Sequence, residues 1–206
     1  NTGIYIWGAQ VEEASYPTSL IPTSGSSVTR NQDQFTRDGI GSLINSTEGV
    51  LFVEMAALSD DLTYRMISLS DGGTTNRISV IFNNTPSNTI RVLVVSTSVS
   101  FDETYTVTSI LDFNKIAIKY KENDFALWVN GTEVAIDING AVPINLNKLS
   151  FDIGNGTQPF YGKVKQLQVY DTALTDNQLI QLTGEAGTHF FESYAEMAEA
   201  LTYTIQ

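Results

Sequence analysis

The sequence predicts an all-β protein, an antiparallel sandwich of two sheets, on three observations. From residue 48 onward short apolar segments alternate with a period of two, the spacing of side chains on a half-buried strand. Clusters of Asn, Asp, Gly and Ser separate them at the intervals expected of a sandwich. A period near 3.6 enters only after Tyr170.

Along the chain, residues 3–9 read as a strand in which Ile4, Ile6 and Gly8 alternate with Tyr5, Trp7 and Ala9. Pro17, Pro22 and a Thr-Ser-Gly-Ser-Ser stretch then break regular structure. This opening is expected to be the terminal strand of a preceding module plus a linker (1–27), which would make the chain a segment of a longer protein. Strands follow at 49–58, 63–73, 76–84, 88–96 and 104–110. Between 114 and 137 Ile116, Ile118 and Tyr120 share one face. Lys-Glu-Asn-Asp turns the chain, and Phe125, Leu127 and Val129 share the next face. Asn130-Gly131 is a type I′ turn signal, because both residues tolerate positive φ. A strand is expected at 148–156, and another at 160–171 whose apolar parity slips between Val164 and Leu167, as one extra residue in a bulge would cause.

The change of period marks a short helix. Thr175 and Gln178 form a capping box, Leu174 and Leu179 stand at staple positions, and Gly184 closes it. A second capping box, Ser193 with Glu196, precedes a stripe of Tyr194, Met197, Ala198 and Leu201. The expected organisation is therefore 1–27 linking segment, 28–184 sandwich and 185–206 helical tail. That tail is a docking face for the sandwich or for another copy.

Composition narrows the chemistry. Without Cys, and with His189 as the single His, the chain excludes a disulfide scaffold, Cys-ligated zinc and a thiol nucleophile. A net charge of −12 with 11 scattered basic residues disfavours nucleic acid and anionic membranes, and no apolar run is long enough to insert in a bilayer. Neutral glycans and proteins remain as partners. The sequons at Asn45, Asn83, Asn130 and Asn155 carry little weight, since two of them are already explained as turns.

The succession "NKIAIKYKENDFALWVNG", "LSFDIGNG" and "FYGKVKQLQVYDTALTDNQLIQL" resembles the laminin-G-like branch of the concanavalin A-like jelly rolls. Trp128 stands where that family usually has Tyr, and Tyr170, Leu174 and Leu182 fit its closing motif. The resemblance spans roughly residues 28–184 and implies a two-sheet antiparallel jelly roll. "YIWGAQVEEASYPTSLIPTSG" and the closing "SYAEMAEALTYTIQ" are similar to junctions and chain ends of phage structural proteins.

The resemblance also implies candidate sites. Glucanases of this superfamily carry Glu-x-Asp-x-x-Glu on one strand, so that two acids straddle the scissile bond. Here Glu12-Glu13, Asp60-Asp61 and Asp102-Glu103 are adjacent pairs, which in a strand would face opposite ways. No catalytic residue is assigned and an enzyme is not expected. Some laminin-G-like domains hold calcium with loop carboxylates, and oxygen ligands suit Ca²⁺. Asp60, Asp71 and Asp152 are the candidates, with no cofactor required. For carbohydrate, Trp128 with Asn130 and Asp124 is the candidate set. Trp128 has the opposite parity to Phe125 and Leu127, so its ring either offers a sugar platform or lies beneath a covering loop or helix, the commoner arrangement. Trp7 is expected to pack against a neighbouring module or subunit.

The leading expectation is a non-enzymatic structural or receptor-binding module of a phage tail or head fibre, touching a host surface glycan. It would assemble with other copies, most simply as a trimer, and with other virion proteins. The rival is a carbohydrate-binding or adhesion module of a secreted or surface bacterial protein. A glycoside hydrolase or lyase is the third reading.

Overall fold

The computed structural model describes residues 3–4, 8–13, 16–29, 34–82 and 85–185. Among the described residues eleven strands appear in the order β1 (Thr36–Arg37), β2 (Glu48–Ala57), β3 (Arg65–Ser70), β4 (Asn76–Phe82), β5 (Thr89–Ser96), β6 (Ser98–Thr106), β7 (Asn114–Lys121), β8 (Phe125–Val129), β9 (Thr132–Asp137), β10 (Lys148–Ser150) and β11 (Gly162–Tyr170), followed by helix α1 (Asp176–Thr183). They form a six-stranded sheet, β1-β10-β3-β4-β5-β6, and a five-stranded sheet, β11-β2-β7-β8-β9, antiparallel throughout. The expected all-β jelly-roll sandwich is the observed one.

Alternation decides what lies between the sheets. Leu51, Val53 and Met55 of β2 and Ile116, Ile118, Phe125 and Leu127 of β7 and β8 meet Ile67, Leu69, Ile78, Val80, Ile90 and Val92 of the opposite sheet in one core. Ile116, Ile118, Phe125 and Leu127 are each at most 1% exposed. At roughly 1.5–3 kcal/mol for each large side chain removed from water, this interior is the main stabilising term. The expected bulge falls at Lys165, where β11 shifts register against β2 between Val164 and Gln166. Asn130 and Gly131 both have positive φ (50° and 84°), as the type I′ turn requires.

Several boundaries differ from expectation. β6 begins at Ser98 rather than 104 and ends at Thr106. Thr97, at φ 62°, makes a tight hairpin out of β5, and the polar run that follows hides an edge strand whose outer side faces water. β10 stops at Ser150, because Phe151–Gly156 leave the ladder for a loop closed by Asp152. Thr36–Arg37 adds a two-residue edge strand that no periodicity announced. Around the expected strand at 3–9, Gly3, Ile4, Gly8 and Ala9 lie outside any strand, and Tyr5–Trp7 fall outside the described residues.

Helix α1 follows its sequence signals. The Thr175 hydroxyl accepts from the Gln178 N–H and the Gln178 side chain accepts from the Thr175 N–H, so the capping box is complete. Gly184 ends the helix in an extended conformation, its N–H donating to the Ile180 carbonyl at 2.7 Å. A Cβ on Gly131 would stand 3.1 Å from the Gly184 Cα, so the β8–β9 turn and the helix end meet backbone to backbone. The tail from 186 onward, with His189 and the stripe through Leu201, lies outside the described residues.

Candidate functional site

Each sheet has an outer face set by the residues of opposite parity to the core. On the five-stranded sheet that face is closed. Val50, Phe52, Ala117, Ala126 and Trp128 form a second apolar cluster capped by Leu179 of α1, with Leu174 and Leu182 packed beside it. Trp128 is only 4% exposed and its indole N–H is buried without a partner. The ring packs under the helix, the commoner of the two arrangements open to it, and as a sugar platform it has no exposed face to offer.

The companions of Trp128 are also committed elsewhere. Asn130 Oδ1 accepts from the Lys115 N–H and its Nδ2 donates to Asn114 Oδ1, both at 2.9 Å, so its amide fixes the turn. Asp124 pairs with Lys119 at 2.6 Å. Beside α1, burial raises the Glu133 carboxyl above the usual range, and Asp176 and Asp124 push the same way against Lys119.

The three candidate calcium ligands do not converge. Asp60 accepts from the Asn88 N–H at 2.9 Å, Asp71 binds Gly73 N–H and Asn76 within its own turn, and Asp152 collects the N–H groups of Gly154 and Gly156. Gly154 cannot carry a side chain, because a Cβ there would lie 2.5 Å from the Gly73 carbonyl. Among the described residues no three His, Cys, Asp or Glu side chains form a group able to hold a metal ion.

The outer face of the six-stranded sheet is built differently. Register aligns Ser150, Ser68, Ser79, Leu93 and Asp102 in one row across five strands, flanked by a row through Ser70, Arg77 and Val95 and one through Met66, Ile81, Arg91 and Thr104. Ser68 Oγ lies 3.2 Å from Ser150 Oγ and donates to the Asp152 carbonyl at 2.7 Å, which ties the 151–156 loop against β3. Met66, Ile81, Leu93 and Val95 form a small buried apolar cluster against which Ile153 packs, and Ser68, Ser70 and Ser79 beside it are buried as well.

At one end of this face Arg91 is clamped by Asp102. Nε to Oδ1 and Nη2 to Oδ2 are each 2.6 Å, a fork-to-fork pair whose side chains remain 25% and 37% exposed. The hydrogen bond to Asp102 holds the Arg91 guanidinium above its ordinary range, with the Tyr64 hydroxyl beside it adding to the effect against burial. Tyr64 is 40% exposed. An accessible aromatic ring, a locked guanidinium and a carboxylate thus adjoin one another, with Thr104 paired across from Arg91.

Sequence reasoning missed this group for a specific reason. The parity of Arg77, Ser79 and Arg91 against Ile78, Val80 and Val92 was readable, but starting β6 at 104 left Asp102 in a loop, away from Arg91.

A further feature lies at the N-terminal side. Glu12 accepts from both the N–H and the hydroxyl of Thr18 at 2.6 Å, and Gln10 accepts from the Ile21 N–H at 2.7 Å, bracing the segment on itself. Tyr16 meets Tyr161 with ring centroids 6.4 Å apart, at the edge of a recess of about 790 Å³.

Residues 51–180 match the family Laminin_G_3, described as the concanavalin A-like lectin/glucanases superfamily. No curated protein sequence matches the chain. Among solved structures, the CBM40 of the Ruminococcus gnavus IT-sialidase, also seen bound to alpha2,3 sialyllactose, superposes with a TM-score of 0.56 at 19% identity, covering 68% of this chain and 84% of that one. Domain 4 of AbnA, a GH43 extracellular arabinanase from Geobacillus stearothermophilus, in complex with arabinotriose, gives 0.56 at 16% identity and covers 71% and 69%. The NanB sialidase from Streptococcus pneumoniae gives 0.56 at 15% identity, and there this chain spans only 28% of the longer protein. At these identities the likeness is one of fold.

Proposed function

This chain belongs to the concanavalin A-like lectin/glucanases superfamily, and from that premise we propose that it is a non-catalytic carbohydrate-binding module whose saccharide contact is the outer face of the six-stranded sheet around Tyr64, Arg91 and Asp102. The observation that carries the reading is the bidentate Arg91–Asp102 pair beside a 40% exposed Tyr64. A sugar presents a patch of C–H groups that stacks on an aromatic ring and hydroxyls that pair with charged side chains. Groups already locked in place lose little freedom when they engage it. Support also comes from solved neighbours named as a carbohydrate-binding module and as an arabinanase domain holding arabinotriose.

Hydrolysis by two carboxylates fits this face poorly. Among the described residues at outward strand positions of this sheet, Asp102 is the one acid, and Arg91 occupies it. An extracellular setting accords with the named arabinanase neighbour. Titration of the protein with sialyllactose and arabinotriose, followed by amide chemical shifts, tests the reading. Shifts should cluster on β3–β6, and Tyr64→Ala should weaken binding about tenfold, the worth of one aromatic contact. Shifts confined to α1 and the five-stranded sheet would overturn it.

A second reading keeps the glycan contact and adds assembly, as in a phage tail or head fibre. It rests on the likeness of the phrase at 5–25 to junctions of phage structural proteins, a segment that Gln10 and Glu12 brace on itself. Sedimentation of the chain as a trimer favours this reading, and a monomer favours a secreted module.

A further inference from the structure

The recess beside Tyr16 and Tyr161 has a volume of about 790 Å³, within the roughly 300–1,000 Å³ of small-ligand sites. Its walls come from the 9–28 segment and from Tyr161, which stands just ahead of β11. It shares no lining residue with the face around Tyr64, Arg91 and Asp102.

The polar groups of this recess fall into two sets. Gln10 and Glu12 are committed to the wall itself, through the Ile21 N–H and through Thr18. Glu13, Thr23, Ser26 and Ser27 are exposed and, among the described residues, have no hydrogen-bond or ion-pair partner. One set braces the wall and the other is open to a ligand. Groups on a wall already held in place lose less freedom when they engage one.

The recess also offers aromatic surface. Tyr16 and Tyr161 are tilted at 46° and are both half-buried, so part of each ring remains accessible. Burial, opposed by Arg65 and aided by Tyr161 and Asp61, holds the Tyr16 hydroxyl above its ordinary range. It therefore stays a donor as well as an acceptor.

Charge selects among ligands. The described lining carries two carboxylates, Glu12 and Glu13, and no Lys, Arg or His. Arg65, whose charge reaches Tyr16, is bound to Asp61 at 2.7 Å. An acidic sugar would meet like charge here, whereas sugar hydroxyls can donate to a carboxylate and C–H groups can stack on a ring.

We propose that this recess is a second saccharide site, separate from the six-stranded face, and that it takes a neutral sugar. The class of ligand rests on the carbohydrate-binding reading above.

The test titrates the protein at low salt with arabinotriose, lactose and sialyllactose, followed by amide chemical shifts. Arabinotriose or lactose should shift the amides of Gln10, Thr18 and Tyr161. Sialyllactose, which adds one acidic residue to lactose, should bind there about fivefold more weakly than lactose. Tyr16→Leu and Tyr161→Leu keep apolar bulk but remove a ring. Each should weaken binding at the recess about fivefold to tenfold, with shifts on β3–β6 unchanged. Glu13→Gln should narrow the gap between lactose and sialyllactose. Sugar-induced shifts confined to β3–β6 would overturn this site and leave the first reading standing. Tighter binding of sialyllactose than of lactose at the recess would overturn the assignment to a neutral sugar. No shift with any of the three would overturn both sites.

Discussion

The two outer faces of this sandwich obey the same parity rule and are filled differently: both are largely buried, but only the six-stranded sheet keeps a charged, partly exposed group at one end. On the five-stranded sheet the outward residues of β2, β7 and β8 include Val50, Phe52, Ala117, Ala126 and Trp128, and α1 folds down to make them a second core. On the six-stranded sheet the outward positions hold Ser68, Ser70, Ser79, Arg77, Arg91 and Asp102, with a small apolar patch among them. The difference teaches where to look for function. A face that reads as apolar recruits a cover, whereas a face that holds charged groups at a stability cost is a better candidate for a ligand.

The largest effect is expected of Trp128→Ala. Removing a buried ring from a packed cluster should cost about 3–5 kcal/mol in urea unfolding, while the folded fraction keeps its saccharide affinity. If stability barely moved and affinity collapsed, the two faces would have to exchange roles. Thr175→Ala should cost about 1 kcal/mol by removing the helix cap, again without touching the opposite sheet. Asp102→Asn should cost less than about 1 kcal/mol, because the pair is partly exposed. Yet it should weaken glycan binding measurably, since Arg91 loses its clamp.

Smaller effects sharpen the contrast. The Glu133 carboxyl titrates above its ordinary value in the folded state, so the folded protein holds that proton more firmly than the unfolded chain. Its contribution is present below the ordinary Glu range and is lost as pH rises through the folded value. Glu133→Gln should therefore match the parent protein in acid and exceed its stability at neutral pH, as thermal melts across that range would register. Ser79→Ala should be nearly neutral or slightly stabilising, within about 0.5 kcal/mol, because it deletes a buried hydroxyl that has no partner.

Much of this architecture was legible in local pattern. The β7–β8–β9 meander, the Asn130-Gly131 turn, the bulge at Lys165 and the Thr175 capping box all depend on residues close in sequence, and all lie where the pattern put them. β10 and β6 were misjudged because Asp152 and Thr97 redirect the chain through loop hydrogen bonds and a positive φ that periodicity does not register. The site was harder to read. Asp102 and Arg91 are eleven residues apart and meet only through the β5–β6 register, and Trp128 could not be judged until α1 was laid across it.

Alternating apolar residues, turn dipeptides and a capping box are local features, and they specify the two sheets, their core residues and the helix that follows. Which outer face the helix covers, which arginine finds an acid and which does not, and what an aromatic ring stands beside were decided only in the tertiary structure. The physical reason is one of range. Strand alternation and capping act over a few residues of chain, whereas burial and charge pairing act through space between strands that the sequence holds far apart.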